Sequence, residues 1–333
     1  MGLEVLHSSS WDALVASLAA WLTDEAPGVF ETVTVVVSSR SVGRVLRQEL
    51  SLALPQSICA GVEFVTVQQW VQAAARTHGL GEDLTAWRST RLQLAAAGAL
   101  DELVADPRNP VLAAHLGADG SPARRMQLAD RLSRLLRRYV DWAPDMVASW
   151  LELDPDGFAD EDEEDLDDDD GQATDALGHP LPSRLAWQPE LVRRVVEALM
   201  VDPVDTWVHL ASALEADTGS RRTGFFALPE VCTAHVRLVE AHGRTHDSPL
   251  WQVDGSPFDD WSAPLGAPRR AVGATATPAP GVEVHGSHGP ARQVEVLRDE
   301  LCRRFEADDT LEPRDVLVVC PDPQVWWPHL RTA

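Results

Sequence analysis

His242 and His246 stand four residues apart, and His285 and His288 three apart. Such spacings place two imidazoles on one helix face or one turn, where a metal ion can use both. No cysteine or carboxylate lies at ligand spacing from either pair, so these read as histidines beside glycine, with no bound metal. The string His285-Gly286-Ser287-His288-Gly289 is similar to an oxyanion loop, but no Gly-x-Ser-x-Gly elbow accompanies it. Arg124, Arg131, Arg134 and Arg138 line one flank of a helical stretch. A basic flank either faces solvent or neutralises a phosphate backbone. Ser38-Ser39-Arg40-Ser41-Val42-Gly43-Arg44 follows a strong apolar strand, yet it has neither the glycine pattern nor the lysine of a phosphate loop.

Lysine is absent throughout: all 28 basic residues among 333 are arginine. An arginine-favouring, GC-rich genome accounts for that, and the chemical consequence is the same. ATP hydrolysis by a P-loop is excluded, because that motif needs an ammonium on the terminal phosphates. Schiff-base chemistry and lysine-dependent nuclease centres fall with it. No general acid–base pair stands out, so a self-sufficient helicase or nuclease is not expected.

The net charge is −24, but thirteen acidic residues lie between Glu152 and Asp170, leaving −11 for the rest. Such a block reads as a solvated, disordered linker. Four scattered cysteines (Cys59, Cys232, Cys302, Cys320) without a CxxC pair fit a reducing cytoplasm. No apolar run reaches membrane-spanning length and the N-terminus is no signal peptide, so a cytoplasmic protein without membrane contact is expected.

The elements follow from periodicity. Ser10 is a candidate N-cap for a helix burying Trp11, Leu14, Val15, Leu18 and Leu22. Thr32–Val37 is the first strong strand, followed by a helix with Val42, Val45, Leu46 and Leu50 inward. Ile58–Val65 reads as the next strand. Thr66 and Gln69 then form a capping box for a helix bearing Trp70, Val71 and Ala74. Residues 85 to 150 look helical, with Leu128, Leu132, Leu135 and Tyr139 as the buried stripe of a helix over 122–140. Asp141–Asp145 ends that helix and starts another. A helix over Pro189–Leu199 follows the acidic block. Between 203 and 280 only Cys232–Ala241 resembles a helix. Near the end, Val282–His285, a helix opened by Pro290, and the apolar run Val316–Cys320 read as a βαβ unit.

Several of these segments, in order, resemble the N-terminal part of the exodeoxyribonuclease V gamma subunit (RecC) family. They are Val35–Ser51, Ile58–Phe64, Arg138-Tyr139 to Asp145 with Trp150, Trp187–Leu191, and His285–Leu297 with Pro313-Arg314-Asp315. The resemblance implies an α/β fold of inactive superfamily-1 helicase-like domains, parallel sheets flanked by helices, with a helical insertion. It implies the following organisation: 1–84, the first part of a helicase-like domain; 85–151, a helical subdomain; 152–182, the acidic linker; 183–261, a helical and degraded α/β segment; 262–280, an Ala/Pro/Gly linker; 281–333, the start of a second helicase-like domain. In the family two strands flank a helix around Phe225–Trp251. Here the second strand reads as replaced by Thr245-His246-Asp247-Ser248-Pro249, and the stop at Ala333 reads as truncation or frameshift.

By position, the resemblance nominates Ser38, Arg40, Arg44, Thr66, Trp70, Arg134, Arg137 and Arg138 as DNA-binding candidates, with no catalytic and no metal residues. It implies a non-catalytic scaffold that contacts duplex ends and single-stranded DNA and guides strands to a regulatory-sequence reading surface. RecB-like helicase–nuclease and RecD-like helicase subunits would be its partners. ATP and Mg would sit on those subunits, and no cofactor on this chain. The alternative is an interaction-only fragment or the remnant of a decayed gene.

Overall fold

The computed structural model describes residues 2–24, 31–54, 57–116, 121–153, 172–219, 222–254, 261–262, 265, 268–273 and 283–332. The acidic block lies almost wholly outside these residues. The chain divides into two units, Met1–Ala276 and Thr277–Ala333.

The first unit is built on a six-stranded sheet in the order β3-β2-β4-β5-β1-β6, every pair parallel. The strands are β1 (Leu3–Ser8), β2 (Val33–Val37), β3 (Val62–Thr66), β4 (Thr223–Phe226), β5 (Ser248–Val253) and β6 (Arg269–Ala271). All five residues of β2 are buried, as a parallel strand covered on both faces requires. Alternate side chains serve different cores. Val35, Val37, Phe226, Trp251 and Leu6 pack under α1 (Trp11–Asp24) and α2 (Arg40–Ala53). Val36, Phe225, Leu250 and Val5 face α3 (Val67–Thr77), α11 (Thr233–Thr245) and a helical layer.

That layer is inserted between β3 and β4. It comprises α4 (Gly81–Ala86), α5 (Thr90–Ala105), α6 (Pro110–Leu116), α7 (Pro122–Trp142), α8 (Pro144–Glu152), α9 (Trp187–Leu199) and α10 (Pro203–Ala216). The parallel sheet, the flanking helices and the helical insertion agree with the α/β expectation. Two of its buried indoles find carbonyl acceptors: Trp150 Nε1 donates to Thr174 O at 2.8 Å, and Trp87 Nε1 to Val201 O at 3.0 Å.

Local signals hold well. Ser10 Oγ accepts from Ala13 N, Ser39 caps α2, and the Thr66/Gln69 capping box is formed in both directions. Other expectations are corrected. The first strand is β1, not β2. Its burial shows no alternation, and it lies inside the sheet between β5 and β6. The strand thought lost near 245 is present as β5, and Ser248 and Pro249 are its first two residues. Proline is tolerated there because β4 pairs with β5 only from Leu250 onward. Residues 203–216 form α10, capped by Asp202 with Pro203 in its first turn. β6 falls inside the expected 262–280 linker. Ile58 is 59% exposed and precedes β3, and Val45 is 46% exposed on the outer face of α2. On α7 the fully buried arc is Ala129, Leu132, Ser133, Leu136 and Val140, with Leu128, Leu135 and Tyr139 on its rim. The arc rotates because α7 packs against α5, α8 and α11.

The second unit contains α12 (Gly289–Ala307), with Pro290 in its first turn, and α13 (Pro323–Thr332). The two strands expected beside α12 do not form among the described residues. Val284, Leu317 and Val319 are 91%, 86% and 83% exposed. An isolated extended segment has no ladder partner to hold it.

Candidate nucleic-acid interface

In open parallel sheets, ligands meet the crevice beyond the C-terminal strand ends. Register places Val37, Thr66 and Phe226 side by side at that edge, so Ser38 and the start of α2 emerge next to the start of α3. The close seat of α2 has a definite cause. Gly43 is buried, and a Cβ there would stand 2.9 Å from Phe64 Cβ on β3. The helix therefore lies directly on the strand and turns its polar side outward.

Arg40 and Arg44 occupy that polar side and are exposed. Among the described residues neither has an ion-pair partner. Arg47 continues the row one turn further and lies over the Phe64 ring at 5.5 Å. The i, i+4, i+7 spacing of these three arginines was the signal that would have added Arg47 to the candidates. Ser38 is exposed, while Ser39 is committed to capping.

Other nominated residues serve the fold. Thr66 caps α3. Trp70 is only 8% exposed and stands edge-on to Phe225 at 5.2 Å and to His242 at 5.7 Å. Its indole belongs to the core and presents no open face for stacking a base.

The basic side of α7 is a separate element. Arg124, Arg131, Arg134 and Arg138 are exposed there. Arg134 is bound to Asp130 at 2.5 Å, and Arg138 has no ion-pair partner among the described residues. Arg137 is half-buried and close to Asp141, which pairs with Arg88 at 2.9 Å. Burial raises the Asp141 carboxyl pKa, and Arg88 and Arg137 partly offset that shift. Arg137 is thus engaged inside the protein.

Burial pushes the Cys232 thiol up to about 11, the opposite of nucleophile activation. Glu283, His285 and Glu300 bring ligand atoms within 4.8 Å of one another, but the two carboxylates already pair with Arg303 and Arg304. Among the described residues no helix is long and apolar enough to cross a membrane.

Residues 3–256 match the family model described as RecC, N-terminal domain. The chain belongs to the RecC family. The RecBCD enzyme subunit RecC of Mycobacterium tuberculosis is 29% identical over 415 residues, covering 98% of this chain and 35% of that protein. The RecC subunit of Mycolicibacterium smegmatis is 26% identical over 410 residues, covering 100% and 34%. The Escherichia coli RecC subunit matches over 52 residues at 38% identity. The chain thus spans about a third of the length of the mycobacterial relatives, at their N-terminal domain.

Proposed function

We propose that this chain is the N-terminal region of a RecC-type subunit, a non-catalytic scaffold in a RecBCD-type helicase–nuclease acting in DNA repair and recombination. The observation that carries this reading is the match to the RecC N-terminal domain across residues 3–256. Its sheet is a helicase-like superfamily-1 domain without a motor. A strand, polar turn and helix occupy the place of a phosphate loop, with serine and arginine where that chemistry needs glycine and lysine. ATP and Mg act on the RecB-like and RecD-like partners, and strand guidance falls to this chain.

The surface proposed to meet single-stranded DNA is the arginine row of α2, Arg40 and Arg44 beside Ser38, with the open Arg138 of α7, and Arg134 once released from Asp130, as a second contact. Unpaired guanidinium groups bind phosphates without first breaking an internal ion pair. A second reading, an interaction-only protein, is favoured by the net charge of −24, which opposes DNA at long range.

Fluorescence anisotropy of a labelled oligonucleotide across a salt series separates the two. DNA contact predicts binding that weakens with salt, and the variant R40E/R44E/R134E/R138E should reduce both affinity and salt slope. Equal binding by the variant and the parent at low salt would refute this surface.

A further inference from the structure

In a parallel sheet the helices run back against the strands, so their C-terminal ends gather at the N-terminal edge of the sheet. On the face opposite α1 and α2, that edge holds a cavity of about 360 Å³, within the size range of small-molecule sites. Three helix ends supply His78 (α3), Asp217 (α10) and His242 (α11) to its wall, and the starts of β2, β3 and β4 supply Thr34, Glu63 and Thr223. The last carbonyls of each helix carry partial negative charge, and two carboxylates add to it. Glu63 is exposed and has no ion-pair partner among the described residues. Asp217 accepts from Gly219 N at 2.8 Å and lies 3.9 Å from His78 Nε2. No arginine is among the described residues of the wall. Two wall side chains are buried without hydrogen-bond partners. His242 is 6% exposed and neither ring nitrogen is satisfied; Thr34 is 5% exposed and its Oγ1 is likewise unmet. Folded proteins pair nearly all such atoms, so unmet ones in a cavity wall point to an occupant.

We propose that this cavity binds a small aliphatic organic cation of the diamine or guanidino-amine class, with Glu63 and Asp217 as counter-charges and Thr34 and His242 as neutral acceptors. Ammonium and guanidinium heads only donate hydrogen bonds, which matches a wall rich in acceptors and free of arginine. The acceptors are spread over the wall and not gathered at one point, which suits an extended ligand and not a single metal ion. Burial holds the His242 ring down to about 4, so near pH 7 it offers a lone pair without adding positive charge. The wall is held in place before any ligand arrives. His246 Nε2 stands 3.1 Å from Gly219 O, a hydrogen bond that ties the end of α11 to the turn carrying Asp217.

The four acceptors come from four separate elements, so no local motif marks the site. The cavity shares no residue with the arginine surface proposed for DNA, and it lies at the opposite edge of the sheet from the start of α2.

The test is a calorimetric titration of the full chain with agmatine at pH 8.0, where a free imidazole is neutral. N-butylurea serves as an uncharged analogue, and a blocked peptide with one central arginine as a protein-borne guanidinium. The expected result is one agmatine per chain, bound at least tenfold more tightly than either. E63Q and D217N should each weaken binding at least fivefold. T34V should weaken it at least threefold, while its melting temperature without ligand is equal to or above that of the parent, because an unmet buried hydroxyl is removed. The control E283Q/E300Q should leave binding unchanged. Uptake of several equivalents that ignores E63Q, D217N and T34V would be general attraction of cations to a chain of net charge −24, and would overturn the proposal. Absence of saturable uptake would mean that water alone fills the cavity and would overturn it equally. Tighter binding of the peptide would overturn the assignment to a small molecule.

Discussion

At the scale of single residues, two histidines dominate the response to acid. His242 is held down to about 4 chiefly by burial, then by His246 beside it, with Asp217 partly opposing. His235 is also held at about 4 by burial and the charge of Arg88, and it stands edge-on to Trp207 at 5.6 Å. In the unfolded chain both rings take up protons near pH 6.5. Between 6.5 and 4 the unfolded state therefore binds more protons, and stability falls as pH falls through that window. Each ring contributes a loss on the order of 3 kcal/mol by the bottom of the window. The chain should show its melting temperature dropping steeply from pH 6.5 to 4, and H235Q/H242Q should flatten that slope. An unaltered slope in the double variant would show that other groups control acid sensitivity.

At the scale of elements, the seat of α2 on β3 decides where the arginine row points. Gly43 permits that approach, and the atom a methyl would meet is Phe64 Cβ, close to the strand backbone rather than at a flexible tip. G43A should therefore lower stability by about 1–3 kcal/mol through overpacking, measured as a reduced denaturant midpoint with unchanged m-value. It should also weaken DNA binding if α2 is displaced. Full stability in G43A would mean that the helix shifts at no cost. Ser39 caps the helix, and Leu46 and Leu50 anchor it in the core.

At the scale of the whole molecule, topology makes the N-terminus structural. β1 joins β5 over six residue pairs and also carries β6, so removing it leaves β5 as an edge and β6 without a partner. Leu3 and Val5 belong to one core and Leu6 to the other. Deleting residues 1–9 should abolish cooperative thermal unfolding and expose the 223–253 segment to rapid proteolysis. A cooperative, protease-resistant product would contradict the central placement of β1.

Much of this was legible in the sequence because it rests on local physics. Cap residues, the apolar run Val33–Val37, the 3.6-residue stripe of α1, and the missing lysine state their consequences without tertiary help. The strand, polar turn and helix of Val35–Ser51 were legible for the same reason. Tertiary structure decided the rest. β1 is six residues long and takes its identity from neighbours 245 residues away, and β5 begins with a serine and a proline that read as a turn. Trp70 was nominated for stacking by position, yet Phe225 and His242, distant in sequence, close over it. Val316–Cys320 has the composition of a buried strand, but composition supplies no partner, and the described residues leave it unpaired. Pairing and burial are properties of long-range contacts, so a propensity can name a candidate strand, and only the packed chain determines whether it becomes one.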